Sequence, residues 1–272
     1  MRCWHLLNGK LDFLDTEFRT LAERMDFFGQ STSLWMLRPM WQMIHNFQGL
    51  AHGDIKELTG EIMDQEATVI AARKNIPSLL LWIRFYRLML AYHFSDYEMA
   101  LELSVGLSEL YNNYFGAMHS AQVLFYECLA HLATGKKNDR GRLRYVRSGL
   151  KRLAYWATHS PANFLGKRYL VEAEYAVAVG DTLSAHGLFV SAILHSREAG
   201  FLMLEAFANE RTGRYFMSLG DEASAGSYLR KAIELYEEWG GTEKIRHLRK
   251  EFQLSHEGEG LVHSGSFLPA SS

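Results

Sequence analysis

Four glutamates, Glu172, Glu174, Glu205 and Glu210, invite a reading as acid–base machinery. Such chemistry needs two carboxylates within reach of one proton in transit. Residues two apart on a helix project about 200° from each other, so Glu172 and Glu174 cannot act together. One buried or interhelix-bonded glutamate, with several solvated ones, is the expected arrangement. Cys128 and His131 share a helix face, yet zinc takes at least three protein ligands, and Cys3 and His5 are remote in sequence. A packed thiol beside a surface histidine is therefore expected, and no metal site. His186 and His195, nine residues apart on one helix, face different directions. The sequence holds no GxxxxGK[ST] loop, no HExxH and no paired CxxC. The pair Gly258 and Gly260 has neither the strand nor the helix that a dinucleotide fingerprint needs. No catalytic residue and no cofactor is assigned.

The strongest surface feature is basic. Between Lys136 and Arg152 stand Lys136, Lys137, Arg140, Arg142, Arg144, Arg147, Lys151 and Arg152 against one acid, Asp139. On a helix starting near Asp139, Arg140, Arg144, Arg147 and Lys151 share one face, with Leu143, Val146, Leu150 and Leu153 opposite. This reads as a solvated helix face or as an electrostatic docking strip for an acidic partner, anionic lipid or nucleic acid. A specific nucleic-acid role is not expected, since the chain is slightly acidic and carries no recognition motif.

The elements that position these residues repeat. Between Ser160 and Gly241 the chain matches itself at an offset of 40 residues: Gly180-Asp181 falls on Gly220-Asp221, Ala185 on Ala225 and Gly200 on Gly240. Ala173, Ala176, Gly180, Ala185, Phe189 and Ala192 have the spacing of Gly213, Phe216, Gly220, Ala225, Leu229 and Ala232. Two antiparallel helices approach closely only where small residues face each other. A glycine at positive φ ends one helix and the aspartate after it caps the next. The spacing resembles that of a tetratricopeptide hairpin, which must stack on neighbours to bury its apolar face. Turn markers at Asp54, Asp96, Gly135, Asp181 and Asp221, roughly 40 to 45 residues apart, extend that period over the chain.

Earlier segments read as helices too. Leu11, Leu14, Phe18, Leu21 and Met25 have helical spacing, as have Leu34, Leu37, Trp41, Ile44 and Phe47 after Gly29, with Pro39 marking a kink or boundary. The turn at His52-Gly53-Asp54 is expected to launch an amphipathic helix over 55–74. A helix over 77–94 should end at Ser95-Asp96, with Ala100 and Leu107 on one helix after it. Two more helices flank Gly135, and Ser160-Pro161 opens another, serine as cap. About ten to twelve helices result, forming a helical-repeat domain over 1–252 with a disordered tail over 253–272.

Composition agrees with this picture. The 272 residues are 48% hydrophobic and 22% charged, with only 4 prolines and a net charge of −2, which suits a globular chain of long helices. Two cysteines make no disulfide framework, and a cytoplasmic location is the expectation. The most apolar stretch, 78–92, carries Arg84 and Arg87 in its middle, so a buried helix is expected rather than a membrane span.

The segments LKRLAYWATHSPANFLGKRYLVEAEYAVAVGD and EAFANERTGRYFMSLGDEASAGSYLRKAIELYEEWGGTEKIRHL carry a more specific likeness, joined by GQSTSLWMLRPMWQMIHNFQGL, GDIKELTGE and FYRLMLAYHFSDYEMALEL. Over residues 18–252 the chain resembles the helical-repeat region of large signalling proteins. Those proteins join a serine/threonine-kinase-like domain, an AAA-type ATPase, a GAF domain and often a sensor histidine kinase. None of their catalytic motifs occurs here. Gly166 and Arg168 stand where bulkier or different residues are expected. The resemblance implies an all-α, tetratricopeptide-like α-solenoid of stacked antiparallel hairpins. It implies a non-catalytic scaffold that contacts flanking or partner kinase and ATPase domains, or a stand-alone adaptor that competes for such a partner. The residues expected to matter are Gly180, Asp181, Ala185, Gly220, Asp221 and Ala225 for the turns, and Arg140, Arg144, Arg147 and Lys151 for docking.

Overall fold

The computed structural model describes residues 9–115, 117–134 and 139–254, the side chains of 113–119 excepted. Gly135, Lys136 and Lys137, the segment around Cys3 and His5, and the tail beyond Leu254 lie outside them. The described chain is all-α, with thirteen helices. They are α1 (Leu11–Phe27), α2 (Ser31–Gln48), α3 (Gln65–Asn75), α4 (Leu79–His93), α5 (Tyr97–Ser104), α6 (Leu107–Phe115) and α7 (Ala117–Ala133). The rest are α8 (Arg140–His159), α9 (Pro161–Val179), α10 (Thr182–Glu198), α11 (Leu202–Ser218), α12 (Glu222–Trp239) and α13 (Thr242–Phe252). Among the described residues the only β geometry is one bridge between Ala51 and Gly60. No described helix is long and apolar enough to cross a membrane.

Three turns share one geometry. Ser95, Gly180 and Gly220 are left-handed, at φ 63°, 82° and 76°. The next residue's N–H returns to the helix just ended: Asp96 to Ala91 O, Asp181 to Ala176 O, Asp221 to Phe216 O. These bonds use the carbonyls that a helix end leaves unpaired. Each aspartate then accepts from an amide of the following first turn, Met99 N at 3.2 Å, Ser184 N at 3.1 Å and Ser224 N at 3.0 Å. Four residues past each aspartate sits a fully buried alanine: Ala100, Ala185 and Ala225. At the first turn serine adopts a conformation that costs an L-residue roughly 1–2 kcal/mol.

Close helix crossings are made by glycines. A Cβ on Gly213 would lie 2.7 Å from Leu229 Cγ, one on Gly149 2.5 Å from Cys128 Sγ, and one on Gly166 2.6 Å from Ser196 Oγ. These positions join α11 to α12, α8 to α7 and α9 to α10. Gly166 is therefore small because the α9–α10 crossing leaves no room for a side chain.

Several expectations need correction. No helix starts at Gly53-Asp54: Asp54 turns back on Lys56 N at 2.9 Å, and α3 begins only at Gln65. The cause lies on α2, where the buried amides Gln42 and Asn46 bind the loop backbone. Asn46 Nδ2 donates to Ile55 O and Glu57 O, at 2.8 and 2.6 Å, while Gln42 Oε1 accepts from Ile62 N and Met63 N. Ala100 and Leu107 do not share a helix either. The chain breaks at Val105-Gly106, and the Arg84 guanidinium binds the Leu103 and Val105 carbonyls that the break frees. Ser160 occupies the start of α9, but its hydroxyl accepts from Asn163 Nδ2 and caps no backbone N–H. Pro39 lies within α2, which runs on to Gln48. These breaks raise the helix number above the ten to twelve expected.

The last two helices fold back on the first ones. Phe47 of α2 meets Trp239, with ring centroids 5.1 Å apart, and Phe94 meets His247 of α13 at 5.4 Å. Leu11, Phe18, Ile44, Leu90, Phe207, Tyr236 and Leu248 belong to one continuous core.

Candidate functional site

The basic strip lies on α8. Asp139 caps the helix through Gly141 N and Arg142 N, at 3.0 and 3.2 Å. Inward, Val146, Gly149, Leu153 and Ala157 recur every three or four residues and are buried. Outward, Arg140, Arg144, Arg147 and Lys151 are all exposed. The helix carries six Lys or Arg and no Asp or Glu. Arg147 donates to Tyr175 OH at 2.8 Å and lies over that ring. Arg140, Arg144 and Lys151 form no ion pair among the described residues. The same face ends in Tyr155, 63% exposed.

The acid–base candidates lie elsewhere and are tied up. Glu172 pairs with Arg168 on its own helix at 2.8 Å. Glu174 projects to the other side and binds Arg211 of α11 at 2.5 Å, while Glu205 binds Arg197 at 2.8 Å. Glu174, Glu205 and Glu210 are all buried, so the expectation of several solvated glutamates is corrected. Each gains a cation from another turn or another helix, which burial of a carboxylate requires.

Glu210 is the centre of this cluster. One oxygen accepts from Lys244 Nζ at 2.9 Å and from Arg214 Nε at 3.1 Å; the other accepts from Tyr236 OH at 2.9 Å. Lys244, wholly buried, also donates to His93 O. Arg214 reaches outward to Glu251 and to Ser95 Oγ. Arg211 lies over Tyr92 and Tyr97 and donates to Tyr97 OH at 3.0 Å. The cluster thereby joins α4, α5, α9, α11, α12 and α13. Burial acts to raise the Glu210 carboxyl, but Lys244 and Arg214 outweigh it and hold the group well below the usual carboxylate range. Burial pushes the Lys244 amine down to about 8 against the pull of Glu210, so both remain charged at neutral pH.

His93 borders the cluster. Its Nε2 lies 2.9 Å from Tyr126 OH and its ring 4.5 Å from Phe207. Burial, then the Lys244 charge, pushes it down to about 3, so it is neutral. With both Glu210 oxygens engaged by Lys244, Arg214 and Tyr236, the arrangement fastens helices together.

The remaining candidates also lie apart. Cys128 is buried against Gly149, and burial pushes its thiol up. His131 packs on Tyr145, with centroids 4.5 Å apart. No group of three His, Cys, Asp or Glu with metal-binding geometry exists among the described residues. His186 lies against Phe216 and His195 stacks on Tyr169, on separate sides of α10. Sequence reasoning missed Lys244 and His93, whose hydrogen-bond partners lie 34 and 33 residues away at the nearest. The only local signal was a lysine four residues before Leu248 on the buried stripe of α13. Comparison with models of protein families, with curated proteins and with solved structures gives no match to this chain.

Proposed function

We propose that the chain is a non-catalytic helical-repeat scaffold, a tetratricopeptide-like array that docks an acidic surface of a partner protein. The observation that carries this reading is the outward row Arg140, Arg144, Arg147 and Lys151 on a helix without an acid. Cations held in fixed positions by a packed helix raise association rates and select acidic partners. The likeness of residues 18–252 to the helical region of large signalling proteins supports a cytoplasmic setting between an ATPase/kinase module and sensor modules. Two measurements test it. The pure chain should neither hydrolyse ATP nor transfer phosphate, and sustained turnover overturns the non-catalytic reading. An antibody against residues 160–241 should reveal a native polypeptide several-fold heavier than 31.2 kDa. A band at that mass replaces the multidomain setting with a stand-alone adaptor.

A further inference from the structure

The α8 strip has a counterpart on the same molecule. Glu98 and Glu102 of α5 and Glu109 of α6 are all exposed, and none forms an ion pair among the described residues. Glu98 and Glu102 are one helical turn apart, the spacing that separates Arg140 from Arg144 and Arg147 from Lys151. Val105 and Leu110, 61% and 39% exposed, lie beside these acids, as Tyr155 lies beside the cations. Charge is segregated along the chain: residues 9–115 hold fourteen Asp or Glu against nine Lys or Arg, whereas α8 holds six cations and no acid. With a net charge of only −2, two copies repel each other little at long range.

We infer that the occupant of the α8 strip is a second copy of this chain, presenting its α5–α6 acidic edge. The inference rests on the reading of α8 as a docking strip and names its partner. The contact joins two different patches, and a head-to-tail pair leaves one strip and one edge free for a further copy. Association therefore propagates with concentration. The contacts are surface ion pairs, which salt screens over about 8–10 Å at physiological strength, so the assembly is salt-sensitive.

Sedimentation velocity of the full chain at low and at high salt tests this. Growth of mass with concentration at low salt and a monomer at high salt are expected. The variant Arg144→Glu/Lys151→Glu and the variant Glu98→Lys/Glu102→Lys should each stay monomeric, while an equimolar mixture of the two regains association. These positions lie at the surface, and circular dichroism verifies that both variants fold. A wild-type chain that stays monomeric at every concentration overturns self-association, as does association that survives in either variant alone. Polyglutamate, added to the wild-type chain and to the Arg144→Glu/Lys151→Glu variant, separates the two readings. Salt-sensitive binding lost in the variant, with a monomeric wild type, overturns the second copy but leaves the strip as a docking site; no binding overturns the strip as well.

Discussion

Residues 160–241 and residues 50–115 start from the same local signal and use it differently. In the first region, Gly180-Asp181 and Gly220-Asp221 each end one helix and cap the next. In the second, Gly53-Asp54 lies in a stretch that runs to Asp64 without a helix, and Ser95-Asp96 makes the full turn with serine in place of glycine. A left-handed residue before an aspartate thus specifies a turn. Whether a helix comes after that turn depends on the surface that receives it. Behind Gly220 waits Gly213, whose missing side chain lets α12 close on α11. Behind Gly53 wait Gln42 and Asn46, whose amides satisfy loop backbone that a helix would satisfy by itself. One region is held by close packing of small residues, the other by buried polar groups, and the Glu210 cluster ties the two together.

Breaking that tie should have the largest effect. Lys244→Met leaves Glu210 buried with less compensation and should cost about 3–5 kcal/mol, read from urea denaturation. The double variant Glu210→Leu/Lys244→Met should recover much of that loss, because the penalty belongs to the unpaired charge. Acid probes the same cluster. His93 is held at about 3 in the fold but titrates near 6.5 once unfolded. The unfolded chain therefore binds the extra proton, and stability is full above pH 6.5 and falls as pH drops toward 3. The slope approaches roughly 1.4 kcal/mol per pH unit, with Glu210 adding its own loss below the usual glutamate range. His93→Asn should flatten the limb between pH 6.5 and 5, and an unchanged limb assigns it to other groups.

The packing contrast comes next in size. Gly213→Ala drives a methyl into Leu229 and should cost about 1–3 kcal/mol. Gln42→Ala strands the Ile62 and Met63 amides and should cost a similar amount, about 1–3 kcal/mol. Hydrogen exchange separates them: the first should loosen α11 and α12, the second the loop over 50–64. Asp221→Ala removes one cap and should lower the urea midpoint by less than either of these. Ser95→Gly should be the smallest, within about 0.5 kcal/mol, since relief of the left-handed strain offsets the lost bond to Arg214.

The same contrast explains what could be read in the sequence. Turn residues and small-residue spacing are local, so helices over 160–241 and the outward row on α8 were legible from their periodicity. The loop over 50–64 was not, because Gln42 and Asn46 look like ordinary helix residues until the segment they serve is in place. The break at Val105-Gly106 was hidden for a like reason: the group that satisfies it, Arg84, lies nineteen residues before Leu103. Buried ion clusters are the least legible feature of all, since charge type says nothing about which distant carboxylate will meet which amine.

The bonds that fasten α13 have a consequence for the order of events during synthesis. His93 O and Lys244 Nζ are 151 residues apart, and Ser95 and Glu251 are 156 apart. At a ribosomal rate of roughly 5–20 residues per second, Lys244 is made about two to seven seconds after Glu210. During that interval the nascent chain can complete its hairpins up to α11, with Glu210 facing a site that has no lysine. Emergence of the last helix therefore acts as a checkpoint. A chain cut short before Lys244 would leave Phe94, which His247 covers, and Glu210, which Lys244 pairs, open along that seam, the kind of surface that chaperones and proteases recognise.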